Sequence, residues 1–219
     1  MSAYAPDYIK DPQAIYDASF ARVRSAVHLD NFPDDLVPIA LRLIHSCGMP
    51  DIADDLSYSD DVARSAINAL GKGGRIICDC EMVASGITRR FLPNDTEILV
   101  TLNDPKTPQL ASQIGTTRSA AAVELWDDHL EGAIVAIGNA PTALFHLLEK
   151  IAGGGARPAA ILGFAVGFVG AAESKAALAD FAADTGQHIP FITLQGRRGG
   201  SAMAAAAVNA IAIEASKVL

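Results

Sequence analysis

Apolar residues fall into two patterns along this chain. Short runs dominated by Ile, Val, Leu and Ala occur at Arg75–Asp79, Glu97–Leu102, Ala133–Ile137, Ala159–Phe164 and Phe191–Leu194. Runs of that length without polar alternation suit strands buried on both faces. Longer segments with apolar residues every three or four positions lie between most of them: Thr116–Asp127, Pro141–Ile151 and Ala172–Ala183, with Ser201–Ser216 after the last run. Three more precede the first run, at Pro12–Ala26, Pro33–Cys47 and Asp60–Leu70. Strand–helix alternation implies right-handed crossovers and parallel strands. The pattern predicts an α/β fold: a parallel, Rossmann-like sheet of about five strands flanked by helices, with an N-terminal helical layer. No linker rich in Pro, Gly and Ser divides the chain, so a single domain over residues 1–219 is expected.

Composition narrows the function classes. Seventeen basic residues against 25 acidic ones give a formal charge of −8. A nucleic-acid partner calls for a basic surface, so this balance argues against one while leaving room for a small anion in a locally basic pocket. The longest apolar run, Pro158–Ala172, is too short and glycine-rich to span a bilayer, and Met1–Asp7 lacks the basic and apolar regions of a secretory leader. A cytoplasmic protein with no membrane partner is expected. Cys78 and Cys80 stand two apart on a predicted strand, facing the same way, with no further ligands at metal-site spacing. Structural thiols and no metal are the expectation.

Candidate chemistry gathers where predicted strands run into helices, at the carboxyl edge where such sheets bind ligands. Ile134–Ile137 leads into Gly138-Asn139-Ala140-Pro141-Thr142, a strand, a glycine turn and a helix with proline in its first turn. Free backbone N–H groups collect at such a helix start and attract anions. Two similar turns are Gly163–Lys175 and Gly196-Arg197-Arg198-Gly199-Gly200-Ser201. None matches a phosphate loop or a dinucleotide fingerprint, which argues against a nucleotide. His45 sits in the last turn of its predicted helix, closed by Gly48 and Pro50, and points away from the middle of the stripe Leu36, Ile39, Ala40, Leu43, Ile44 and Cys47. The helix dipole there favours a protonated imidazole, which suits a general acid. Arg118 opens the helix beginning near Thr116, where a cation opposes the dipole and its side chain is suited to an outside anion.

Taken in order, several segments resemble the precorrin-8X methylmutase (precorrin isomerase) family of cobalamin biosynthesis, over nearly the whole chain. They are Ile15–Phe20, Ile44–Gly48, Cys78–Val83, Gly115–Ala121, Ala136–Leu144, Val166–Lys175 and Gly199–Met203. The resemblance implies an isomerase that moves a methyl group from C11 to C12 of a polycarboxylate tetrapyrrole, precorrin-8X, to give hydrogenobyrinic acid. It implies no cofactor, a homodimer with sites near the subunit interface, and His45 as the general acid. By the same match Ser19, Thr88, Arg118, Gly138, Asn139, Ala140, Thr142 and Lys175 are expected to bind substrate. Whether the tetrapyrrole already holds cobalt stays open at this point, as does a non-catalytic corrinoid carrier.

Overall fold

A computed structural model describes residues 6–93 and 95–217. Most of the stretch examined for a secretory leader, Met1–Asp7, therefore lies outside the described residues. Strands are β1 (Leu56–Tyr58), β2 (Ile76–Cys78), β3 (Ile98–Val100), β4 (Ile134–Ile137), β5 (Ala160–Gly163) and β6 (Phe191–Leu194). Helices are α1 (Pro12–Ala26), α2 (Val37–Cys47), α3 (Val62–Gly71), α4 (Glu81–Gly86), α5 (Thr107–Ile114), α6 (Arg118–Val123), α7 (Asp127–Leu130), α8 (Pro141–Ala152), α9 (Ala171–Thr185) and α10 (Ser201–Ala215).

The sheet order is β1-β6-β5-β4-β2-β3. All five expected strands are present and pair in parallel. The expectation of about five parallel strands missed β1, which pairs antiparallel with β6, Leu56 opposite Leu194. Its three residues, Leu-Ser-Tyr, are only half-buried. A strand that short and that mixed in polarity leaves no periodic signal. The helix expected over Thr116–Asp127 is broken instead: α6 passes into a 3-10 turn at Glu124–Trp126 and then α7.

Two apolar cores sandwich the sheet. On one face α2, α3, α4 and α10 pack over alternate strand residues such as Ile76, Cys78, Ile134 and Leu162. On the other, α8 and α9 cover Ile77, Val135, Ile137 and Ile161. Helix α10 is buried along most of its length and is built largely of alanine, which lets α2 and α4 lie close against it. By contrast α1 contributes no buried residue and rests mainly on α2.

Gly138 marks where these layers meet the carboxyl edge. A Cβ there would stand 2.7 Å from the Ser201 Cα and 2.7 Å from a Val83 methyl. Gly138→Ala is expected to lower stability by about 1–3 kcal/mol, the usual range for overpacking, seen as a lower thermal midpoint.

Candidate active site

Helix α2 ends at Cys47 because Gly48 takes a left-handed conformation (φ 70°) and returns its N–H to the Ile44 carbonyl at 2.8 Å. Ile39, Ala40, Leu41, Leu43 and Ile44 are buried, which turns the next residue, His45, outward to solvent. There the imidazole is held by α1. Its Nδ1 lies 2.8 Å from the Ser19 hydroxyl, and its ring stacks on Phe20 with centroids 4.9 Å apart. Phe20 packs in turn on Tyr16, whose hydroxyl accepts a hydrogen bond from Arg42 at 3.0 Å. Nε2 has no partner among the described residues.

Beside His45 is a hollow of about 250 Å³, bounded by Arg42, Ser46, Gly86, Ala202, Ala205, Ala206 and Asn209. Its floor is the alanine surface of α10, with no large side chain standing up from it. Asn209 fixes the opposite wall. Its amide nitrogen donates to the Gly86 carbonyl (3.0 Å) and its oxygen accepts from the Thr88 N–H (2.7 Å). The Thr88 backbone is thereby fixed to a residue that lines the hollow. Ser19 and His45, 26 positions apart, thus meet directly, and Thr88 is tied to the far wall of their hollow through Asn209.

A second group centres on the turn after β4. The sequence pattern leads one to expect its free N–H groups to hold an outside anion, and the structure corrects that. The Asp79 carboxylate, at the end of β2, accepts from the N–H groups of Gly138 (3.0 Å), Asn139 (2.9 Å) and Ala140 (2.8 Å). The helix start is filled from inside, so these three N–H groups are not available to substrate. Gly138 and Ala140 are also buried, and only the side chain of Asn139 is exposed. Burial pushes the Asp79 carboxyl above its ordinary value, against the opposing pull of the three N–H donors.

Thr142 is half-buried and its hydroxyl lies 2.8 Å from that of Thr117, the cap of α6, whose oxygen also accepts from the Ala120 N–H. This contact joins the turn to Arg118. The Arg118 guanidinium is exposed, donates to the Leu102 carbonyl and the Asn103 side chain at 3.1 Å each, and has no acidic partner among the described residues. It is oriented by neutral acceptors and keeps its charge unneutralised.

Lys175 departs from the expectation of substrate contact. Its side chain is fully buried and donates to the Arg198 carbonyl. Desolvation lowers the ammonium from its ordinary value to about 8. Its position makes it a tether for the turn after β6. That turn has little slack, since a Cβ on Gly199 would sit 2.4 Å from the Phe164 carbonyl oxygen.

Sequence reasoning also missed Asp79, Phe20, Arg42 and Asn209. Two left a signal. Asn209 is the one amide in the alanine-rich Ser201–Ala215, and Asp79 is an acid ending a wholly apolar strand. Cys78 and Cys80 are buried free thiols in the first core, with the Cys80 Sγ 3.7 Å from the Ser201 hydroxyl.

A model of the precorrin-8X methylmutase family matches residues 14–214. The chain is 54% identical to a precorrin-8X methylmutase of Pseudomonas aeruginosa over 208 residues, 95% of this chain and 98% of that one. It is 36% identical to a cobalt-precorrin-8 methylmutase of Priestia megaterium, over 92% of this chain and 88% of that one. A crystal structure of a precorrin-8X methylmutase from Thermus thermophilus is similar at a TM-score of 0.83 and 33% identity, covering 94% and 97% of the two chains.

Asp79→Ala strands three donors, two of them on buried residues, and is expected to cost about 3 kcal/mol or more, read from the denaturant midpoint. Lys175 gives a pH signature. Below pH 8 it is charged in both folded and unfolded chains, and the burial cost is present in full. Between pH 8 and 10.5 the unfolded chain keeps a proton that the folded one has released, so stability gains as pH rises. The stability of wild type relative to Lys175→Met should therefore rise across that window, measured by denaturation at each pH.

Proposed function

Because this chain belongs to the precorrin-8X methylmutase family of isomerases, we propose that it moves the methyl group of precorrin-8X from C11 to C12, giving hydrogenobyrinic acid, with His45 as the general acid. The observation that carries this reading is the fixed, outward-facing imidazole of His45. Ser19 and Phe20 set its orientation, and the alanine floor of α10 lies beside it. In the imidazolium form both ring nitrogens are donors, so Nδ1–H points to the Ser19 oxygen and Nε2–H is left for the substrate.

A proton given by Nε2 to the tetrapyrrole withdraws electron density from the conjugated system. The C11–methyl bond then breaks as the C12–methyl bond forms, in a 1,5-sigmatropic shift, and the proton returns to His45. No electrons are gained or lost overall. The protein's share is orientation and selection of the reactive tautomer, which favours a pocket with a fixed acid and a flat wall. Ser19 acts here by positioning His45, and Thr88, held by Asn209 of the same hollow, faces the substrate in this reading. Arg118, with the side chains of Asn139 and Thr142 nearby, takes carboxylates at the neighbouring strand ends. The buried Gly138 and Ala140 shape that turn through backbone, and Lys175 acts only by holding the turn after β6.

Identity of 54% to a precorrin-8X enzyme against 36% to a cobalt-precorrin-8 enzyme supports a metal-free substrate. A homodimer is part of the reading. Helix α1 buries no residue of its own, and Ile15 within it and Ile9 just before it are exposed beside a shallow groove that Ala18, Ser19 and Val23 also line. A second copy covering α1 would close the site around Ser19 and His45. Among the described residues no helix is long and apolar enough to cross a membrane, and the three cysteines are unpaired, which supports a cytoplasmic setting.

Incubation with precorrin-8X, followed by absorbance, should show conversion to hydrogenobyrinic acid. His45→Ala should lose about 10²–10⁴-fold in kcat while still binding the product. Equal turnover by the variant would remove His45 from the chemistry. Tight product binding with no turnover by wild type would leave a carrier, and turnover of the cobalt form alone would reassign the substrate. Sedimentation velocity should give a dimer, and a fully active monomer would overturn that part.

A further inference from the structure

Consecutive arginines in the turn between β6 and α10 have opposite surroundings. The Arg198 guanidinium reaches Asp51 and Asp55 at 2.5 Å each, and its carbonyl accepts from Lys175. Arg197 is exposed and has no acidic partner among the described residues. Its guanidinium instead lies over the Phe168 ring, 5.4 Å from the centroid. Phe168 and Val169 are each 88% exposed, a conspicuous apolar tip on the carboxyl edge of the sheet. The tip is held by backbone: Gly167 (φ 141°) and Gly170 (φ 78°) bracket it, and the Gly167 N–H donates to the Arg197 carbonyl at 3.3 Å.

Stacking uses the face of a guanidinium and leaves its in-plane N–H groups pointing outward. A carboxylate binds along that edge in a paired contact, so the two interactions are compatible. We propose that Arg197, backed by Phe168, is a carboxylate-binding subsite for the polycarboxylate tetrapyrrole, at the opposite end of the sheet edge from Arg118. The proposal rests on the activity proposed above and adds a binding residue to it. Strands β6 and β3, which lead to Arg197 and to the Arg118 anchor, are four positions apart in the sheet. At about 4.8 Å per strand that is roughly 19 Å, a separation suited to acidic arms on opposite sides of one macrocycle. Arg197 also stands only five residues before Ala202, which lines the His45 hollow. The Phe168–Val169 tip supplies apolar surface next to the cation, as a ring with acidic side arms requires.

The test uses the full chain with precorrin-8X as substrate and hydrogenobyrinic acid as the titrated ligand. Arg197→Met should raise KM and the product Kd about tenfold or more, the scale of one charge-assisted contact. Arg197→Lys should recover part of that loss, and Phe168→Leu should weaken binding by a smaller factor. Arg64→Met removes the same charge from α3, outside the site, and controls for net charge. Binding equally weakened by Arg64→Met would overturn the subsite in favour of a general field effect. An unchanged KM and Kd would make Arg197 an ordinary solvated arginine. A shifted monomer–dimer equilibrium with unchanged affinity would assign it to a subunit contact instead. Wild type that neither converts precorrin-8X nor binds the product would overturn the proposed activity itself, and the subsite with it.

Discussion

Three backbone N–H groups at the start of α8 converge on the buried carboxylate of Asp79, and the carboxyl edge of the sheet is organised around that contact. It joins the ends of the neighbouring strands β2 and β4. It also lets the Gly138 backbone enter the corner between Val83 of α4 and Ser201 of α10, where a side chain has no room. The cost is a desolvated acid, offset by hydrogen bonds from three donors that would otherwise be stranded. A helix start that looks suited to an external anion is therefore used for stability, and only side chains around it are left free to meet one.

The candidate acid is built differently. His45 needs solvent access and a fixed ring, and those demands conflict for a side chain on an exposed helix end. The conflict is resolved by α1, a helix with little burial of its own that brings Ser19 and Phe20 against the imidazole. Opposite it, Asn209 closes the hollow by taking both a carbonyl and an N–H from the Gly86–Thr88 bend. The alanines of α10 keep the floor low. Polar orientation from one side and a smooth apolar wall from the other make a site suited to a flat, conjugated ligand more than to a compact one.

Charge is distributed with the same economy. The chain is acidic overall, at −8, which opposes recruitment of a polyanion at long range. Screening confines that repulsion to about 8–10 Å at physiological salt, so local placement matters more. Along the carboxyl edge Arg198 is neutralised by two aspartates, while Arg118 and Arg197 are held by neutral groups, carbonyl and amide oxygens in one case and an aromatic face in the other. A cation oriented without being neutralised is ready for an incoming carboxylate.

Most of the architecture was legible in the chain because buried parallel strands need unbroken apolar runs and their covering helices need a 3.6-residue stripe. Ile134–Ile137 and the α8 stripe satisfy both, and α1 and β6 begin and end where the pattern places them. The outward direction of His45 followed from helix geometry alone. What escaped was set by partners distant in sequence. Strand β1 exists only because β6 offers it an open edge. Asp79 meets the N–H groups of residues 59 to 61 positions away, Lys175 is buried by a turn 23 positions on, and Ser19 reaches His45 across 26. Local periodicity records which face of an element is buried. It does not record which polar group another segment brings to an exposed end, and only the folded chain decides whether a helix start, a lysine or an arginine is left for a ligand or used by the protein itself.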